Sequence, residues 1–111
     1  MEIETQAAGR VGILVLTGRF DAQYAGEVRQ TIRNTMQFYK SLVVDLEAVT
    51  FMDSAALATM VQGMKQCRQI GGDLRVCSLQ QPVRTIFELT RLDKAFTLFP
   101  DRNSAVKSFH A

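Results

Sequence analysis

One stretch of sequence decides the fold, VVDLEAVTFMDSAAL at residues 43–57. Its first residues form an apolar run without alternation, which is typical of a strand buried on both faces of a parallel sheet. We predict a short loop after this strand, and then a polar Asp53-Ser54 pair that opens an apolar helix. Ser54 would therefore lie at the surface, at the positive end of a helix, where a phosphate group is electrostatically favoured.

Strand and helix patterns alternate along the rest of the chain. The predicted strands lie at 3–7, 11–17, 42–44, 74–77 and 97–99, and the predicted helices begin at 22, 54, 82 and 104. A tight turn near Gly9 makes the first two strands a hairpin, and Gly18 begins a break in the second strand. We therefore predict one α/β domain over residues 1–111, with a mostly parallel central sheet of four or five strands and about four helices.

Composition and charge disfavour several classes of function. The 111 residues carry a net charge of +2, and the 13 basic residues are scattered, so we expect no direct contact with nucleic acid. No apolar run approaches the roughly 20 residues that span a bilayer, and the acidic N-terminus does not resemble a secretory signal. We therefore expect a cytoplasmic protein without membrane contact, in which Cys67 and Cys77 are core thiols.

The Asp53-Ser54 pair has two interpretations. Either side chain can cap the helix, and if Asp53 is the cap, then the hydroxyl group of Ser54 faces solvent at the first helical position. In that case a phosphate on Ser54, with a charge of about −1.5 to −2, would act on a binding partner without unfolding the domain. Asp21 is interpreted in the same way, as a helix cap before Ala22. Met52 is either core filler or an adaptable contact residue.

A catalytic centre is not expected. The sequence contains no glycine-rich phosphate loop, and its one histidine, His110, lies next to the C-terminal residue. Asp45 and Glu47 lie close in sequence to Asp53, but scattered carboxylates without a phosphate loop are weak evidence for a magnesium site. A small-molecule or nucleotide sensor that uses Asp21, Asp45 and Asp53 in a crevice is one alternative function. We expect neither a resident metal nor a cofactor.

Several motifs occur in the order and spacing of one family. They match a Thr-Gly-x-Leu-Asp turn, a central strand-to-helix motif, a helix end with its following strand, and a later helix. In chain order they are Thr17–Asp21, Val43–Leu46, Val49–Ser54 with Leu57, Ile70–Gly72 with Leu74–Val76, and Val83, Ile86, Phe87, Thr90 and Leu92. On these residues the chain resembles the STAS-domain family, and more narrowly the bacterial anti-sigma factor antagonists, over nearly its whole length.

This resemblance implies a phosphorylation switch. In that family the serine after the central aspartate, here Ser54, is phosphorylated by an anti-sigma factor that is also an ATP-using serine kinase. The unphosphorylated antagonist binds the anti-sigma factor and releases the sigma factor, and a PP2C-type serine phosphatase restores it. The resemblance places Asp21, Met52, Asp53 and Ala55 at or near the partner surface, and the antagonist itself needs no cofactor.

The sequence departs from the family pattern after the serine. The family usually has Ser-Ser-Gly-Leu where this chain has Ser54-Ala55-Ala56-Leu57. Another alternative is a STAS scaffold that is never phosphorylated, as a subunit of a transport or sensory complex. In that case Ser54 would only cap the helix.

Overall fold

A computed structural model describes residues 1–110. Within that range the strands are β1 (Glu2–Ala8), β2 (Val11–Phe20), β3 (Ser41–Met52), β4 (Asp73–Cys77) and β5 (Leu98–Phe99). The helices are α1 (Ala22–Met36), α2 (Ser54–Gln69), α3 (Gln81–Leu89), α4 (Leu92–Ala95) and α5 (Arg102–Lys107).

The strands form one sheet in the order β1-β2-β3-β4-β5. β1 pairs with β2 in antiparallel fashion, and each later pair is parallel, so the predicted hairpin and the mostly parallel sheet are confirmed. Gly9 forms the hairpin turn with φ of +61°, a left-handed conformation that glycine adopts without a steric penalty.

Two layers of helix cover the sheet. Alternate strand residues such as Leu42 and Val44 face a core that includes side chains of α1, α2 and α3. Their neighbour Val43 points to the other face, where it packs with Ala105 of α5. Because both faces are covered, β3 lacks the alternation of a half-exposed strand, as the apolar run predicted. Among residues 1–110 we find no helix with both the length and the apolar character needed to cross a bilayer.

Two strands are longer than predicted. β2 continues through Gly18 to Phe20, and β3 continues to Met52 where a loop was predicted. The two strands stay paired because β3 absorbs extra residues at two register shifts, which lie opposite Val15–Thr17 and Gly18–Arg19 of β2. Such bulges bend a strand while its pairing continues beyond them. The predicted break at Gly18 and the predicted loop before Asp53 are therefore wrong.

The other predicted segments are confirmed as elements with shifted ends, and one helix was missed. The closing helix was predicted from Ser104, but it begins at Arg102 because the side chain of Asp101 caps it by accepting the N–H of Ser104 at 2.7 Å. The four-residue helix α4 was not predicted, since a single turn is too short to carry helical periodicity.

Two glycines end α2 and fix the start of β4. Gly71 has φ of +87°, and the N–H of Gly72 donates to the carbonyl of Cys67 at 2.8 Å, which closes the helix as predicted. A methyl group on Gly72 would overlap the backbone carbonyl of Lys40, just before β3. Gly72 is therefore required because the backbones of two segments meet there.

We expect Gly72→Ala to lower the free energy of unfolding by about 1–3 kcal/mol, because the backbone near Lys40 must move to admit the methyl group. The matched control is Gly26→Ala in α1, where nothing lies within 4 Å of the added carbon. That change should raise stability by about 0.5–1 kcal/mol through helix propensity. Urea unfolding of both variants measures the difference, and equal effects would contradict this account of Gly72.

Candidate functional site

Asp53 joins the N-termini of two helices. One carboxylate oxygen accepts the N–H of Ala56 at 2.9 Å and so caps α2. The other oxygen accepts the N–H of Ala22, the first residue of α1, at 2.8 Å. The N–H of Asp53 itself donates to the carbonyl of Phe20 at 3.3 Å, which continues the pairing between β2 and β3. The segment before Ser54 is thus held through backbone and side chain.

Asp21 caps α1 from the neighbouring strand end. Its carboxylate accepts the N–H of Gln23 at 3.0 Å, and its carbonyl accepts the N–H of Tyr24. The predicted role of Asp21 as a helix cap is therefore confirmed. Because β2 and β3 are adjacent and parallel, the positive ends of α1 and α2 lie side by side at the same edge of the sheet.

Ser54 is the first residue of α2 and is exposed to solvent. Since Asp53 is the cap, the hydroxyl group of Ser54 is not needed to complete the helix end. Ala55 is partly buried and Ala56 is fully buried. The methyl group of Ala56, at the position where the family usually has glycine, therefore packs into the core and adds nothing to the exposed surface.

Met52 does not belong to this surface. It lies inside β3, pairs with Phe20 and is only 2% exposed, within the main core. The expectation that Met52 is presented to a partner is wrong because β3 continues past the predicted loop and turns this side chain inward. The alternative interpretation, core filler, is the correct one.

The carboxylates of β3 do not converge with Asp53. Asp45 is 3% exposed and accepts the Nε–H of Arg102 at 2.9 Å and the N–H of Glu47 at 3.0 Å. Its side chain points to the α5 face of the sheet, opposite the helices that begin at Asp21 and Asp53. The structure therefore does not bring Asp21, Asp45 and Asp53 into one crevice. Within residues 1–110 no group of three or more acidic, histidine or cysteine side chains is placed to hold a metal ion.

The charge of Asp53 is stabilised by its contacts. The hydrogen bond from the Ala56 N–H lowers the pKa of this carboxyl below its ordinary value of 3.8. Desolvation acts in the opposite direction and raises the pKa, and the hydrogen bond from the Ala22 N–H lowers it further. The unfolded chain therefore takes up this proton at a higher pH than the folded chain does. The stabilising contribution is complete above the ordinary pKa and is lost as the pH falls through the lower pKa of the folded state.

We expect Asp53→Asn to lower the melting temperature at neutral pH by about 4 °C or more, because an amide cannot accept from both helix ends. The variant should also lose less stability than the parent on acidification below about pH 4. Asp101→Asn is the control and should cost less, because the single bond from the N–H of Ser104 at the start of α5 can still be accepted by the amide oxygen. Thermal melts across pH test this. A parent and variant that respond identically to acid would contradict the assignment.

Two features of this edge could not be found from the sequence. The bond from Ala22 to Asp53 joins residues 31 positions apart, so no local pattern signals it. Arg19 lies over the ring of Phe51 at 4.1 Å, across the β2–β3 pairing, and places an exposed cation two residues before Asp21. Cation–π contacts between strands depend on register, and the bulges that set this register are not visible in the sequence.

The chain matches known proteins over nearly its whole length. A family model described as STAS domain matches residues 2–105. The anti-sigma F factor antagonist of Paenibacillus polymyxa is 26% identical over 108 residues, which cover 96% of this chain and 92% of that relative.

Solved structures resemble the fold closely. The crystal structure of an anti-sigma factor antagonist from Mycobacterium paratuberculosis has a TM-score of 0.90 and 24% identity, and the match covers 99% of this chain and 94% of that one. The Bacillus cell fate determinant SpoIIAA in its phosphorylated form has a TM-score of 0.75 and 14% identity, over 96% of this chain and 98% of that one. At these identities the two structures establish the likeness of fold.

Proposed function

The chain belongs to the STAS domain family, and we propose that it acts as an anti-sigma factor antagonist whose binding is switched off by phosphorylation of Ser54. The relative from Paenibacillus polymyxa is named an anti-sigma F factor antagonist, and it matches nearly the whole chain. A protein of this fold, SpoIIAA, has been solved in a phosphorylated form. These likenesses support both parts of the proposal.

The observation that carries the proposal is the position of Ser54 beside an occupied cap. Asp53 accepts the N–H of Ala56 at the start of α2, so the hydroxyl group of Ser54 is not used as the cap. Ser54 therefore remains exposed, on a segment that Asp53 also ties to α1. A serine needed only for structure would be expected to act as the cap itself. The scaffold alternative, in which Ser54 merely caps α2, therefore has less support.

The unphosphorylated surface would bind through small, neutral groups. Ser54 and Ala55 present little bulk, and Asp21 and Asp53 already have their carboxylates bonded to backbone N–H groups. A partner can therefore approach closely without breaking the helix caps. We propose that this partner is an anti-sigma factor with serine kinase activity.

Phosphorylation would change this surface electrostatically. The kinase transfers the γ-phosphoryl group of ATP to the hydroxyl oxygen of Ser54, which loses its proton while ADP leaves. The new group brings a charge of about −1.5 to −2 next to Asp53 and near Asp21. The N-terminus of α2 stabilises this charge in the free domain, whereas a closely packed interface must desolvate it or place it against like charge. The phosphorylated domain therefore stays folded while the complex dissociates. A PP2C-type phosphatase then hydrolyses the phosphoserine and restores binding.

Affinity capture from the cells that make this chain tests the proposal. Three baits are used, the parent, Ser54→Ala and Ser54→Asp, and the captured proteins are identified by mass spectrometry. The parent and Ser54→Ala should retain an anti-sigma factor with a kinase fold, and Ser54→Asp should lose it. Equal capture of a transport or sensory complex by all three baits would contradict the switch and favour the scaffold.

A further inference from the structure

A second surface lies at the opposite edge of the sheet from Ser54. There the hairpin turn, the segment after α1 and the segment after α5 enclose a cleft of about 940 Å³. The basic and aromatic side chains that line it are Arg10, Phe38, Tyr39, Lys40, Phe109 and His110. We call this cleft and its rim the Phe38 cleft.

The charged groups of the Phe38 cleft are basic. These groups are Arg10 and Lys40, and the lining residues include neither aspartate nor glutamate. Within residues 1–110 neither Arg10 nor Lys40 forms a salt bridge. Asp73, whose N–H donates to the carbonyl of Lys40, has its carboxylate committed to two arginines at 2.9 and 3.1 Å. Among residues 1–110 the lining of the cleft therefore carries the positive charges of Arg10 and Lys40 and no opposing carboxylate.

The apolar groups of the Phe38 cleft are aromatic. Phe38 is 80% exposed, the highest value among the large apolar side chains left in solvent. Phe109 is held in place because the guanidinium of Arg75 lies over its ring at 4.0 Å. A groove of about 650 Å³ between β1 and α1 shares Phe38 and Tyr39 with the cleft, so these two side chains lie between the two depressions.

We propose that the Phe38 cleft docks an acidic segment of a partner protein that carries one large apolar side chain. Carboxylates of the segment would pair with Arg10 and Lys40, and the apolar side chain would cover Phe38 beside Tyr39. Complementary charge guides such an encounter, while burial of an exposed aromatic ring supplies most of the affinity. This inference is independent of the proposed switch, because it uses none of the residues near Ser54.

Distance allows both surfaces to be used at once. The amine of Lys40 lies near Gly71, just beyond the end of α2, and Ser54 is at the other end of that 16-residue helix. A helix of this length is about 24 Å long, roughly three Debye lengths at physiological ionic strength. A phosphate on Ser54 should therefore leave the electrostatics of the Phe38 cleft almost unchanged.

Fluorescence anisotropy with the full chain and a labelled peptide tests the proposal. The probe is Glu-Glu-Phe-Glu-Ser-Glu, which carries one large apolar side chain, and its counterpart is Lys-Lys-Phe-Lys-Ser-Lys. We expect saturable binding of the acidic peptide, weakening as salt is added, and at least tenfold weaker binding of the basic one. Phe38→Ala should weaken binding of the acidic peptide at least tenfold, and Lys40→Gln or Arg10→Gln about threefold each.

Two controls make the result decisive. Leu89→Ala removes a large side chain that is 79% exposed elsewhere on the surface, and it should change the affinity less than twofold. Ser54→Asp should also change it less than twofold, which separates this site from the switch. Absence of saturable binding, equal binding of both peptides, or equal effects of Phe38→Ala and Leu89→Ala in variants that remain folded by circular dichroism would overturn the proposal.

Discussion

Replacement of Ser54 by aspartate is expected to weaken binding to the anti-sigma factor at least 100-fold. The new carboxylate lies beside Asp53, whose own charge is fixed by the N–H groups of Ala22 and Ala56. A partner that packs on this surface must desolvate both carboxylates or place its own acidic groups against them. Like-charge contacts across an interface cost several kcal/mol, and every 1.4 kcal/mol or so is tenfold in affinity. The domain itself should stay folded, because an acidic residue is favourable in the first turn of a helix. Isothermal titration calorimetry with the captured partner measures the loss.

The matched control adds the same charge elsewhere on the same helix. Gln62 is exposed on α2, eight residues beyond Ser54, or about 12 Å along the helix axis. Gln62→Glu should leave the affinity within about threefold, and so should Ser54→Ala, which removes the hydroxyl group without adding charge. A tenfold loss with Ser54→Ala would mean that the hydroxyl group itself contacts the partner. Undiminished binding by Ser54→Asp would contradict the electrostatic switch.

Replacement of Phe87 by alanine is expected to lower the free energy of unfolding by about 3–5 kcal/mol. Phe87 is a completely buried residue of α3. Its ring packs edge to face against that of Phe96, with the ring centroids 5.7 Å apart. The loss includes the transfer energy of the ring, the cavity that remains and the aromatic pair. For a domain of this size it removes a large share of a total stability of about 5–15 kcal/mol.

The control for Phe87 is the same substitution at an exposed phenylalanine. Phe38 is 80% exposed, so Phe38→Ala should change stability by less than about 0.5 kcal/mol. Urea denaturation of the two variants and the parent gives both values. Similar losses for the two phenylalanines would mean that α3 is not packed on the sheet as described here.

The order of elements was predictable because its signals are local. Apolar runs, helical periodicity and the glycines after α2 each act over a few residues, and they gave the α/β class, the hairpin and the main helices. The position of Ser54 at the start of α2 was predictable for the same reason, but the sequence left open whether Asp53 or Ser54 is the cap, and the structure assigns the cap to Asp53.

The errors came from contacts between distant residues. β3 reaches Met52 because β2 stays paired with it across two bulges, and this pairing turned Met52 into the core. Asp45 forms a salt bridge with Arg102, which is 57 residues away in the sequence. The second bond of Asp53, to Ala22, has the same non-local origin. Sequence patterns report which residues favour a strand or a cap, but they do not report which distant group will meet them.

Mapping of the phosphate after reaction with the captured partner tests the central claim most directly. The purified chain is incubated with that partner and Mg-ATP, and the modified residue is identified by tandem mass spectrometry. The account predicts a single phosphate on Ser54 and none on the Ser54→Ala variant. A phosphate on any other residue, or an unmodified chain beside a kinase that is active on a generic substrate, would contradict it.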